Sequence, residues 1–194
     1  MVDIQEKLNQ YIQDPFNPVY NFELACEYDY EKQYASAFSF YLRTTQYGDD
    51  TLLTYESLLR GAICFQNQTR RKLSTISLFE YAISVCPERP EAYFKLCEYL
   101  EIEKEWKQMY LISSIGESLK NNPSLVLRTN IYFPGYYSFK FFKALSSYYM
   151  GNLNQSLRLF SELQSNKSMH SAYTTAVENN VKHLFTLNIR QDKK

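Results

Sequence analysis

The chain has 194 residues, 45% of them hydrophobic and 16% aromatic, and its 21 Lys and Arg balance its 21 Asp and Glu. That length and apolar content support a folded domain with a sizeable core and exclude a disordered chain. A formal net charge of zero supplies no basic field to gather nucleic acid or an anionic membrane, so neither is expected as a partner.

Met1 to Glu6 show no basic region followed by an apolar run, and so do not read as a leader. No apolar stretch approaches the roughly 20 residues of a membrane span, and the expectation is a soluble cytoplasmic protein. Five Gly and six Pro are few for a many-stranded fold; helices tolerate that shortage better. Residues 3–13 predict a short helix. Residues 18–51 predict a helical pair, with Leu24, Ala25 and Tyr28 in the first helix and Tyr34, Ala37, Tyr41 and Thr44 in the second. Residues 52–87 predict another, with Gly61 and Cys64, then Leu78, Phe79 and Ala82, closed by Pro87. Its turn, Gln68-Thr69-Arg70-Arg71-Lys72, is about two residues longer than the others. Residues 88–117 carry Tyr93, Leu96, Cys97 and Leu100, then Trp106, Met109 and Gly116. The stretch 117–135 reads as an irregular connection with at most one short helix, because Asn121-Asn122-Pro123 and Phe133-Pro134-Gly135 are turn signals. Residues 136–166 form a fourth pair around Ala144 and Tyr148, then Leu153, Ser156 and Phe160, with Gly151 at the turn. Ala172, Ala176, Val177, Val181, Leu184 and Phe185 predict one amphipathic helix over 171–188 that covers the open end of the stack. Arg190 to Lys194 read as a frayed polar tail.

Ala25, Gly61 and Cys97 fall 36 residues apart each time. Helix axes approach to about 8–10 Å only over short side chains, so a small residue at constant spacing marks repeated helix contacts. Gly61 is expected where the two helices of its own pair touch. Paired helices of about 34 residues with this placement of small and aromatic residues resemble the tetratricopeptide repeat. The resemblance implies an all-α helical-hairpin superhelix, an α-α solenoid with a C-terminal capping helix, built as one domain over 1–194.

A narrower resemblance lies in longer motifs. Phe22-Glu23-Leu24-Ala25-Cys26-Glu27-Tyr28, Tyr41-Leu42-Arg43, Gly48-Asp49-Asp50, Tyr55-Glu56-Ser57-Leu58-Leu59-Arg60 and Arg89-Pro90-Glu91-Ala92-Tyr93-Phe94-Lys95-Leu96 follow one another in order. They are similar to the tetratricopeptide tail of bacterial and viral family-2 glycosyltransferases, and free-standing versions resemble those of phage genomes. The resemblance implies a scaffold role associated with a glycosyltransferase. It does not carry the transferase activity. Metal-bound diphosphate needs paired carboxylates at a strand end, and no Asp-x-Asp occurs in the chain. The nearest substitutes, Asp49-Asp50 and Glu27 with Asp29, fall in a turn and inside a helix. No catalytic residue, metal ligand or cofactor is therefore expected.

The remaining chemistry is sparse. Cys26, Cys64, Cys86 and Cys97 form no C-x-x-C pair and read as buried free thiols. His170 and His183 lack partners at zinc spacing. Arg70-Arg71-Lys72 reads as a solvated basic turn. The sequons at Asn67, Asn154 and Asn166 read as accidental.

In a repeat of this kind the first helix of each pair lines the concave face. The partner-binding residues expected there are Phe22 and Asp29, then Tyr55 and Phe65, then Glu91, Phe94, Glu98 and Glu101, then Phe141 and Tyr148. The groove is expected to be aromatic with an acidic patch on the third pair, suited to a protein or peptide segment with basic and apolar residues. Three functions fit: a non-catalytic interaction scaffold, an accessory subunit or remnant contributing to sugar transfer, and a self-associating structural protein.

Overall fold

The computed structural model describes residues 4–68, 71–119 and 125–191 of the chain. Among them are ten α-helices and no strand. They are α1 (Ile4–Gln13), α2 (Pro18–Tyr30), α3 (Tyr34–Tyr47), α4 (Thr51–Gln66), α5 (Lys72–Val85), α6 (Pro90–Ile102), α7 (Trp106–Ser118), α8 (Tyr137–Tyr149), α9 (Leu153–Gln164) and α10 (Ser171–Gln191). The chain divides into two compact units. Residues up to Ala92, with a returning segment that ends at Ile131, form unit 1; residues from Tyr93, and again from Tyr132, form unit 2. Helix α6 begins in the first and continues into the second. Between α7 and α8 the described residues hold no helix. The turn at 121–123 and Arg70 of the basic turn lie outside the described residues, as does the tail beyond Gln191; α10 takes in the first part of the expected tail.

Local chemistry sets where these helices start and stop. The Asn17 side chain accepts from the amides of Val19 and Tyr20 at 2.9 and 3.2 Å, and Pro18 opens α2 with a preset φ. Asp50 does the same for α4 at the amides of Leu52 and Leu53, so one member of the Asp49-Asp50 pair serves as a helix cap. Three hairpins turn by one device. The amides of Gln33, Glu105 and Asn152 reach back to the carbonyls of Tyr28, Leu100 and Ser147 at 2.8, 2.9 and 2.8 Å. The residue before each amide, Lys32, Lys104 or Gly151, takes positive φ, at 59°, 59° and 82°. This is the Schellman closure, which normally recruits Gly because a Cβ is strained in that region.

Small residues then let the helices close up. In unit 1, Ala25, Ala37, Thr44 and Ala82 are fully buried, and Phe22, Tyr41 and Leu53 share one core cluster with Ala25 and Ala37. Gly61 departs from its expected neighbour. A Cβ there would lie 3.1 and 3.3 Å from the ring of Phe38, which belongs to α3 of the preceding hairpin and not to α5. Repeat helices pack on both sides, and the Gly serves the contact between hairpins. In unit 2, Gly116 of α7 admits the ring of Phe139 of α8. Ala144 and Ser156 bring α8 and α9 together, with the Ser156 hydroxyl donating to the Ala144 carbonyl at 2.8 Å. Helix α10 packs on α9 and buries Val177, Val181 and Leu184, while Ala172 and Phe185 stay exposed.

Candidate functional site

The residues expected on one groove have several fates. Phe22, Tyr55, Phe65 and Phe94 are core residues, none more than 8% exposed. Phe65 packs on Phe38 with ring centroids 4.2 Å apart. Phe94 lies among Tyr132, Phe133 and Phe142 at 5.7–6.3 Å. Tyr148 meets His183, its hydroxyl 3.1 Å from Nε2, and His170 accepts from the amide of Ala172 at the start of α10. Both histidines thus have structural duties.

Glu91 was expected on an open acidic face, and the structure encloses it. Arg89 donates to Oε1 at 2.6 Å and to Oε2 at 3.2 Å, and the Tyr55 hydroxyl donates to Oε2 at 3.1 Å. Tyr55 in turn accepts from the amide of Ala92 at 3.0 Å. Burial and the adjoining carboxylate hold the Tyr55 hydroxyl protonated far above its ordinary range. Tyr55 and Arg89 supply the hydrogen bonds that a buried carboxylate requires.

Asp29 joins a second polar cluster of unit 1. Arg60 lies 3.7 Å from Asp29 Oδ2. The Tyr41 hydroxyl lies 3.3 Å from the same oxygen and 3.6 Å from Cys26 Sγ. Burial raises the Asp29 carboxyl above its usual range, partly offset by Arg60, Tyr41 and Cys64. Burial likewise pushes the Cys26 thiol up to about 11, so it is poorly nucleophilic. Cys26, Asp29, Tyr41, Arg60 and Thr129 line a cavity of about 250 Å³. Among the described residues no three His, Cys, Asp or Glu side chains are placed to hold a metal ion.

Glu98, Glu101 and Phe141 do come together. In unit 2 they line one cavity of about 190 Å³ with Phe142 of α8 and Ala172, Tyr173 and Ala176 of α10. Helical spacing places Glu98 and Glu101 on one face of α6. Phe141 and Tyr173 meet edge to face at 5.1 Å and form an aromatic wall. Glu98 is bonded to Lys95 at 2.7 Å. Glu101 is half-buried, and among the described residues the charge that acts on it is Glu98, so burial and then like-charge repulsion raise its carboxyl above the ordinary range. Burial, then the Glu98 charge, also raises the Tyr173 hydroxyl, with Glu101 contributing. The volume is below the roughly 300–1,000 Å³ of pockets for drug-sized ligands and suits one long side chain. A larger cavity in unit 2, about 360 Å³, contains Lys140, which bonds Glu162 at 3.0 Å and lies 3.8 Å from Glu117; its charges are internally matched.

The α10 contribution to the Glu101 cavity and the Arg60–Thr129 contribution to the Asp29 cavity were not readable from the repeat pattern. Tyr173 lies 72 residues from Glu101, and Thr129 lies 69 from Arg60.

No family model and no curated protein sequence matches the chain. Solved structures do. The crystal structure of MamA is similar with a TM-score of 0.64 at 16% identity, covering 81% of this chain and 82% of that one. A thermophilic TPR protein of Thermus thermophilus, TTC0263, is similar with a TM-score of 0.53 at 11% identity, covering 94% and 89%. At these identities the likeness concerns the fold: the chain has the all-α helical-hairpin fold of a tetratricopeptide repeat protein.

Proposed function

We propose that the chain is a non-catalytic protein-interaction scaffold whose unit 2 cavity receives a Lys or Arg side chain from a peptide or loop of its partner. The observation that carries this is Glu101, a half-buried carboxylate beside a second carboxylate and two aromatic rings, with no cation bonded to it among the described residues. A partner cation relieves the repulsion between Glu98 and Glu101, and the rings of Phe141 and Tyr173 add attraction through their negative faces. The tetratricopeptide fold agrees with a scaffold role, and it is the site chemistry that selects a basic segment. A glycosyltransferase on another chain is the partner that the sequence resemblance suggests; that resemblance is its support.

The test is a yeast-displayed random peptide library panned on the purified chain and on a Glu98→Gln, Glu101→Gln variant. Wild type should enrich peptides with Lys or Arg beside apolar residues, and their affinity should fall with salt. The variant should lose that enrichment. Basic peptides bound equally by both proteins, or enrichment without basic residues, would reject the assignment.

A further inference from the structure

The segment 125–131 lies in unit 1 in an unusual way. None of its side chains is fully buried: Leu125 and Val126 are 64% and 88% exposed, and Leu127 and Ile131 are half-buried. A connection of this kind commonly docks by burying an apolar anchor. This one is held through its main chain. Glu56 of α4, itself 1% exposed, accepts from the amide of Arg128 at 2.8 Å and from the amide of Thr129 at 2.5 Å. Arg89, 4% exposed and braced by Glu91, donates to the Leu125 carbonyl at 2.8 Å. Arg60 donates to the Asn130 carbonyl at 3.3 Å. One side chain of the segment is engaged by the clamp: the Thr129 hydroxyl accepts from Arg60 at 2.9 Å and donates to Glu56.

We infer that Glu56, Arg60 and Arg89 form a second peptide-binding site, one that recognises main-chain groups around a Ser or Thr, and that residues 125–131 occupy it as a tethered ligand. Buried Glu56 finds its hydrogen-bond partners on the segment, and buried Arg89 adds the Leu125 carbonyl to its pair with Glu91, so the two make a clamp that a peptide main chain satisfies. Four of its contact points are carbonyls and amides that any peptide offers, and Ser can replace the Thr129 hydroxyl. Without a fully buried apolar anchor, the tethered segment is held mainly by hydrogen bonds that water can replace on its exposed side, so it is exchangeable. Tethering gives an effective concentration in the millimolar range. A partner peptide therefore enters by adding the apolar contacts that Leu125 and Val126 leave unmade. The inference rests on the interaction-scaffold reading but not on the unit 2 cavity, and its test does not involve Glu98 or Glu101.

The experiment uses the full chain with residues 125–131 replaced by an equal number of Gly and Ser, and a capped synthetic peptide of residues 125–131 as the probe. Titration followed by amide chemical shifts of α4 should show saturable binding to this variant. Binding to wild type, whose site is filled, should be at least about tenfold weaker. Adding Glu56→Ala, or methylating the peptide nitrogen at Arg128, should each weaken binding by about tenfold or more, the scale of a hydrogen bond to a charged group. A folded replacement variant that does not bind the peptide would overturn the inference. Should the variant not fold, hydrogen exchange of the wild-type chain decides. An exchangeable segment predicts Arg128 and Thr129 amides that exchange far faster than buried α4 amides; exchange only with global unfolding makes the segment a structural part and ends the proposal.

Discussion

Replacing Gly116 with Ala tests the close approach on which the packing of unit 2 depends. The added Cβ would lie 2.5 Å from both Cδ1 and Cε1 of Phe139 and 2.8 Å from Cγ, against a normal carbon–carbon separation of about 3.5–4.0 Å. The ring must move by roughly 1 Å to restore contact distance. It has little freedom to do so: Phe139 is 0% exposed and packs on Phe133 and Tyr136 at centroid distances of 5.7 and 6.3 Å. Such overpacking costs about 1–3 kcal/mol. The helical Gly→Ala change offsets this by about 0.8–1.0 kcal/mol, leaving Gly116→Ala destabilised by up to about 2 kcal/mol. Gly61→Ala is the control. Its Cβ would meet the half-buried Phe38 at 3.1 and 3.3 Å, which needs a shift of only a few tenths of an ångström. The propensity gain is common to both, so their difference isolates the steric part, about 1–2 kcal/mol. Trp106, the single Trp, stacks on Tyr149 at 3.9 Å within unit 2, so its fluorescence in a urea titration reports the unit that holds Gly116. With a slope of about 1–3 kcal/mol per molar, the midpoint of Gly116→Ala should fall by several tenths molar. Phe139→Leu in the same chain should recover part of the loss as a coupling near 1 kcal/mol. A midpoint at or above wild type would refute the packing argument.

The raised carboxyl of Glu101 predicts a pH signature. Its protonated form is favoured by the fold, so that stabilisation is complete below about pH 4 and is lost as pH rises through the elevated value. Glu101→Gln stays neutral throughout and should gain on wild type between about pH 4 and pH 7; a stability difference that is the same at both ends would contradict the burial of that carboxylate. Lys32 and Lys104, both at φ 59°, should each be improved by Gly. Relief of left-handed strain outweighs the entropy cost of glycine by about 0.5–1 kcal/mol, and the melting temperature of each variant should rise by a few degrees. A fall would mean that the Lys side chains contribute more than their strain removes.

Much of the helical-hairpin fold was readable along the chain. Helical periodicity and the Gly151 turn are local signals, and local chemistry carries them directly into the helices and the α8–α9 turn. The spacing of Ala25, Gly61 and Cys97 announced close helix contacts, because only small side chains permit them. The site was less legible. Glu98, Glu101 and Phe141, expected on one face from helical spacing, line one cavity, but Tyr173, which completes its aromatic wall, comes from α10. Lys32 and Lys104 gave no warning of positive φ, since nothing in a Lys marks a turn that usually takes Gly. Periodicity also projected Glu91 outward, whereas Arg89 and Tyr55 enclose it. Whether Gly61 meets its own hairpin or the one before, whether Glu91 faces water or Arg89, and what Glu56 bonds depend on which surfaces lie opposite one another once the helices stack. A one-dimensional pattern states which face of a helix is apolar or charged; the long-range packing of the folded chain decides what that face meets.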